Sequence, residues 1–208
     1  SAICVQKPRL AFQHAKLAFE GRLMASALEW TIIRPTAYFK SLSGQRARVK
    51  AGKPFLMFGD GRLTATKPIS DGDLARYIAA RVEDIGAAGR ILPIGGPGPA
   101  ITPREQGEQL FAAVGKPPRF QSVPPAMLAA AARALSVAGT FAPALKAKAE
   151  LARIGHYYAT ESMLVWDEAN KRYDAAATPE TGCETLSRFY EKLARGEAGA
   201  ELGTHRVF

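Results

Sequence analysis

Trp30-Thr31-Ile32-Ile33-Arg34-Pro35-Thr36 is the stretch on which the fold of this chain turns. β-Branched and aromatic side chains fill its first four positions, which suits a strand. Arg34-Pro35 ends it, because proline brings no N–H to a ladder. Upstream, Ala2-Ile3-Cys4-Val5 reads as the tail of another apolar strand, broken at Pro8. Between the two, Phe12, Ala15, Phe19 and Leu23 recur at helical spacing and predict one buried stripe. Lys16 lies four residues after Phe12 and borders that stripe. Strand, helix, strand in this order predicts a parallel pair with a right-handed crossover, hence an α/β fold.

Further along, Leu56-Met57-Phe58, Gly59-Asp60-Gly61 and Arg62-Leu63-Thr64 read as a hairpin, since Asp-Gly suits a type I′ turn. Ser70 with Asp73 marks a helix start, and Leu74, Ile78, Val82 and Ile85 supply its apolar face. Gly86 and Gly89 stop that helix. Ile91-Leu92-Pro93-Ile94 predicts a short strand whose proline marks an edge or a strand end. Thr102-Pro103-Arg104-Glu105 opens a helix with a capping box. The rest is alanine-rich and helical, with helices predicted from Pro125 to Val137, Ala144 to Ile154 and Cys183 to Ala194. Leu186, Phe189, Tyr190 and Leu193 form the buried face of the last. The tail after Gly196 reads as loosely ordered.

The chain has 208 residues, 47% hydrophobic and 23% charged, which excludes disordered and fibrous classes. Its net charge of +9 is scattered, with no run of Lys and Arg and no aromatic interleaving. That pattern reads as a solvated surface rather than a nucleic-acid site. Cys4 and Cys183 alone cannot build a disulfide framework or a zinc site, which favours a reducing compartment. The most apolar stretch, residues 126–145, is mostly alanine and carries Arg133, Gly139 and Pro143. It reads as a packed helix rather than a membrane span. No leader and no internal repeat is visible. The opening Ser1, set in what reads as a strand's tail, points to a piece of a longer protein.

Several chemistries find no motif. Gly95-Gly96-Pro97-Gly98 lacks the G-x-G-x-x-G spacing, and its prolines remove amide donors. His14, His156 and His205 are isolated, so neither an HExxH zinc site nor a recognisable triad is present. What remains is an ordered set: Ser1, then Phe12-x-x-x-Lys16 on the first helix, then Arg34-Pro35-Thr36 closing a strand.

That set resembles the layout of the short-chain dehydrogenase superfamily, with Phe12 where its tyrosine would stand. Five longer blocks, beginning at Ser1, Arg34, Gly52, Leu92 and Tyr157, resemble the divinyl chlorophyllide 8-vinyl reductases in order and span nearly the whole chain. The resemblance implies the C-terminal part of an NAD(P)-binding, Rossmann-like extended or atypical dehydrogenase fold. On that reading residues 1–94 belong to the Rossmann-like domain, with an inserted hairpin region at about 38–68. Residues 95–208 form a mostly helical substrate-binding region. The implied cofactor is NADPH, and the implied reaction reduces the 8-vinyl group of a tetrapyrrole pigment to ethyl.

The resemblance assigns catalytic roles to Lys16 and Ser1 and the nicotinamide pocket to Ser1, Lys16, Pro35 and Thr36. Pro35 reads equally as plain strand termination. Tyr38, Phe39 and Lys40 would meet the substrate, Lys40 through a propionate. Tyr38, Tyr157 or a water would give the proton. No metal and no nucleic acid is implied. A chloroplast stroma or thylakoid surface, or a bacterial cytoplasm, would house the protein, and a peripheral membrane or photosynthetic-complex contact is compatible with it. The competing reading is a non-catalytic structural or interaction subunit that reuses the fold.

Overall fold

The computed structural model describes residues 1–140, 142, 144–197 and 199. His205 and most of the tail beyond Gly196 therefore lie outside the described residues. Two units emerge, each assembled from alternating segments rather than from one cut in the sequence. The first comprises residues 1–43, 65–101 and 163–200, and the second residues 44–64, 102–162 and 201–208.

The first unit is built on a parallel pair, β1 (Thr31–Pro35) and β3 (Arg90–Ile94), in register from Thr31 opposite Arg90 to Pro35 opposite Ile94. Helix α1 (Ala11–Met24) precedes β1, and α3 (Asp71–Val82) lies between the two strands in sequence. Ser70 caps α3 as its sequence suggests, its hydroxyl accepting the Asp73 N–H at 3.0 Å. A core of Ile69, Leu74 and Ile94, joined by Ile33, Tyr38 and Tyr77, packs α3 against the sheet. A small antiparallel hairpin, β5 (Val165–Asp167) with β6 (Arg172–Asp174), and helix α7 (Leu186–Arg195) complete the unit. Leu186, Tyr190 and Leu193 of α7 are buried, and Gly196 closes it with φ 79°.

Three expectations for this unit need correction. Ile3–Gln6 forms a 3₁₀ turn, not a strand, although Ile3, Cys4 and Val5 are buried as apolar residues should be. On α1 the inward face carries Gln13 and Glu20, while Phe19 is 67% exposed. Gln13 earns its burial by bonding: its Oε1 accepts the Arg9 and Leu10 N–H groups at 2.7 and 2.9 Å, and its Nε2 donates to the Cys4 carbonyl at 2.9 Å. On α3 only Leu74 of the expected stripe is buried, and Ile78, Val82 and Ile85 face outward.

The second unit also holds a parallel pair, β2 (Phe55–Phe58) with β4 (Phe120–Val123). The expected hairpin at Asp60 does not form. Gly59 and Gly61, at φ 58° and 76°, turn the chain, and the Gly61 carbonyl accepts the Arg104 N–H at 3.0 Å instead of starting a return strand. The partner of β2 arrives only after helix α4 (Pro103–Ala113), which begins with the capping box of Thr102 and Glu105. Phe120 meets Phe55 and Phe111 edge-on at 6.2 and 6.0 Å, and Gly107 makes room for this cluster. Helix α2 (Arg46–Lys50) and the mutually packed α5 (Pro125–Ala138) and α6 (Ala144–Thr160) finish the unit. Among the described residues no helix is long and apolar enough to cross a membrane.

Candidate functional site

Along a parallel strand, successive residues turn their amide and carbonyl alternately to either edge. The Trp30 carbonyl and the Thr36 amide both bond toward β3, to Gly89 and Ile94, so even-numbered positions face that neighbour. The Ile33 carbonyl therefore faces the opposite edge. There it accepts a bond from the Ser1 nitrogen at 3.0 Å. Ser1 is thus held at the free edge of β1.

Residues of α1 and β1 together line a groove of about 450 Å³ that includes Ser1, Lys16, Phe19, Glu20, Ile32 and Ile33. The outward apolar face of α1 forms its wall, which explains why that stripe is regular in sequence yet uncovered here. Lys16 is exposed on this wall, within the same groove as Ser1. The structure thus brings together two of the residues singled out from sequence.

The floor of the groove is fixed by a pair that sequence reading missed. Arg34 clamps Glu20 with two bonds, Nε to Oε1 at 3.1 Å and Nη2 to Oε2 at 2.5 Å, and the Glu20 side chain is only 2% exposed. Burial opposes the Glu20 charge, but the Arg34 guanidinium and a hydrogen bond from the Ser1 side chain outweigh it and hold the carboxyl below the usual range. Glu20 follows Lys16 by one helical turn, so the clamp fixes the part of α1 that carries the lysine. The available signal was the i, i+4 spacing of Lys16 and Glu20, which puts a carboxylate one turn beyond the lysine on the same face.

Pro35 and Thr36 stand apart from this groove. Both are buried at the end of β1, and the Thr36 hydroxyl donates to the Lys67 carbonyl while its amide serves β3. The Thr36 hydroxyl proton is therefore already committed within the fold. Phe39 is 2% exposed and packs on Phe189 with ring centroids 5.4 Å apart. Lys40 is exposed and already paired with Asp71 at 2.6 Å, which raises its pKa. Tyr38 is half-buried beside them, and burial first, then the Asp71 charge, raise its pKa above the ordinary phenol value. Tyr157 is buried at the end of α6, in the other unit. Among the described residues no group of His, Cys, Asp or Glu is placed to hold a metal ion.

No family model matches the chain. It is 51% identical over its whole length to the chloroplastic divinyl chlorophyllide a 8-vinyl-reductase of Oryza sativa subsp. indica, covering 53% of that protein. The enzyme of the same name from Arabidopsis thaliana is 49% identical over 98% of the chain, which covers 50% of it. The chain thus spans about half the length of the curated relatives it matches, and it is homologous to that half throughout. Among solved structures, leucoanthocyanidin reductase from Vitis vinifera superposes with a TM-score of 0.62 at 12% identity, over 92% of this chain and 65% of that one. An NADPH-dependent quinone oxidoreductase from Escherichia coli, in complex with NADPH, gives 0.58 at 18% identity, over 93% and 63%. The chain shares its fold with these two reductases.

Proposed function

We propose that this chain is the matching half of a plastid NADPH-dependent reductase that converts the 8-vinyl group of divinyl chlorophyllide, or a related precursor, to ethyl. The observation that carries the reading is sequence identity near one half, sustained over the whole chain, with enzymes of that name.

The residues present fit one end of the cofactor. An exposed ammonium and a hydroxyl in one groove, Lys16 and Ser1, suit the ribose hydroxyls beside a nicotinamide ring. When bound, NADPH would supply hydride to the vinyl carbon. The pyrophosphate end is not served here, because Gly95 and Gly96 spend their amides on Pro179 and Lys67 and a side chain at Gly96 would strike the Pro68 carbonyl at 1.9 Å. Pro35 and Thr36, which lie apart from the groove, would act by closing β1 rather than as ligands.

A vinyl group has no oxygen to protonate, so a phenyl ring at position 12 is compatible with this reaction. The proton that balances the hydride must come from elsewhere. Tyr38, whose proton is retained by burial and by Asp71, would be the donor. Lys40 would meet a pigment carboxylate by exchanging it for Asp71.

The test is conversion of divinyl to monovinyl chlorophyllide with NADPH, resolved by pigment chromatography, in the protein that contains this chain. Wild-type turnover lost in Lys16→Met supports the reading. Absence of any turnover with NADPH in a folded wild-type protein overturns it.

A further inference from the structure

The positive charge that the sequence scatters is gathered in the second unit. From Gly44 to Gly59 the chain carries Arg46, Arg48, Lys50 and Lys53 and no acidic residue, and from Gln109 to Ala149 it carries none either. The two segments meet at the loop after α2. Lys116 Nζ donates to the Lys50 carbonyl at 2.7 Å, Arg119 to the Gly52 carbonyl at 3.2 Å, and Arg48 Nε to the Pro54 carbonyl at 2.6 Å. Gly52, at φ 76°, turns the loop back on itself. Lys50, Lys53, Lys116 and Arg119 are exposed. Among the described residues, none of these four cations, nor Arg48, is paired with a carboxylate.

Carbonyl capping of a short helix accounts for the contacts but not for the number of charges. Five cations around one loop repel each other, and an incoming polyanionic surface gains from their summed field. The rings nearby offer no stacking platform, since Phe55 and Phe111 are buried and Phe120 is packed edge-on between them. That argues against single-stranded nucleic acid, whose bases need exposed aromatic faces. We propose that the loop at residues 48–53, with Lys116 and Arg119, docks the protein on an anionic lipid bilayer. The partner accords with the pigment reading above, on which this choice of occupant rests, because a large apolar macrocycle partitions into lipid.

Cosedimentation tests it directly. Vesicles of phosphatidylcholine with about a third phosphatidylglycerol should pellet the protein, and pure phosphatidylcholine vesicles should not. Raising salt from about 0.1 M to 1 M should release it, as the screening length falls from about 10 Å to 3 Å. Lys50→Gln with Lys53→Gln removes two charges whose amines make no bond within the described structure, so the fold should survive, checked by circular dichroism. Binding should fall about 5-fold per cation. Lys116→Gln with Arg119→Gln should fall by a similar factor. Equal pelleting by neutral vesicles, no loss in either double variant, or tighter binding to an oligonucleotide than to the acidic vesicles would each overturn the proposal. Turnover of detergent-dispersed pigment is read in parallel. Lost vesicle binding with turnover intact in Lys50→Gln with Lys53→Gln supports the surface, whereas vesicle binding without turnover in the wild type defeats only the enzymatic reading.

Discussion

Lys16 projects into the groove from the exposed side of α1, so its removal should cost binding more than folding. A bond from a charged donor contributes about 1.5–3 kcal/mol, so Lys16→Met should raise the KM for NADPH roughly 10- to 100-fold. The melting temperature should stay unchanged, and Lys16→Arg should restore part of the loss. An unaltered KM would remove Lys16 from the site. Tyr38 makes a separate prediction. General-acid groups contribute about 10²–10⁴ in rate, so Tyr38→Phe should lower kcat by that order while leaving the KM for NADPH alone. Its raised pKa has a sign: the phenol loses its proton only above the ordinary tyrosine value, so wild-type kcat should show no alkaline loss from this group below about pH 10. That Ser1 and Lys16 share one groove was legible, because order along the chain sets which strand edge and which helix meet. The fate of Thr36, Phe39 and Lys40 was not, because their partners Lys67, Phe189 and Asp71 come from later segments.

Among the elements, α3 is the one whose anchoring decides the first unit. Asp73 is 1% exposed, and its carboxylate accepts the Glu184 and Cys183 amides at 2.9 and 3.2 Å and the Arg76 guanidinium at 2.5 Å. Burial works against the charge, but these donors together hold the Asp73 pKa below its ordinary value. A depressed pKa stabilises the fold above the unfolded-state value, near 3.9, and that stability is lost as pH falls through the folded-state value. Chemical denaturation of the wild type should therefore show a decline below about pH 4 that Asp73→Asn lacks. At neutral pH the variant should be less stable by about 2–3 kcal/mol, since the segment leading into α7 loses its anchor. Equal stability of the two proteins at pH 7 would deny Asp73 this role. Gly182 belongs to the same joint: at φ 85° a Cβ would stand 2.1 Å from the Asp73 carboxyl carbon. The helix starts at Ser70 and Thr102 were legible, because a cap is a local contest between side chain and backbone. The inward faces of α1 and α3 were not. Periodicity shows that a stripe is apolar, but what covers it depends on neighbours that periodicity does not name.

At the scale of the molecule, the apolar residues left outside are the informative ones. In the first unit Phe19, Leu28, Val82 and Ile85 are each at least 67% exposed, and β1 has no strand on its second edge among the described residues. A two-stranded sheet is marginal by itself, and an unpaired edge beside apolar side chains is a template for association. The parallel pair expected between residues 2–5 and β1 does not form, because Ile3–Gln6 is a 3₁₀ turn, and β1 pairs instead with β3, which follows α3. The pairing of β2 with β4 was not legible either, because Asp-Gly favours a hairpin locally and only the later arrival of β4 overrides it. The uncovered faces predict how the 208-residue chain behaves in isolation. It should bind a hydrophobic dye and sediment as concentration-dependent oligomers, since apolar area left in water costs about 25 cal/mol per Å². Phe19→Glu combined with Val82→Glu should return it toward the monomer without loss of helical circular dichroism, because both side chains point away from the core. Those substitutions leave the loop at residues 48–53 untouched, so salt should not reverse the association as it reverses vesicle binding. A chain that sediments as a dye-free monomer at high concentration would show that these faces are satisfied from within.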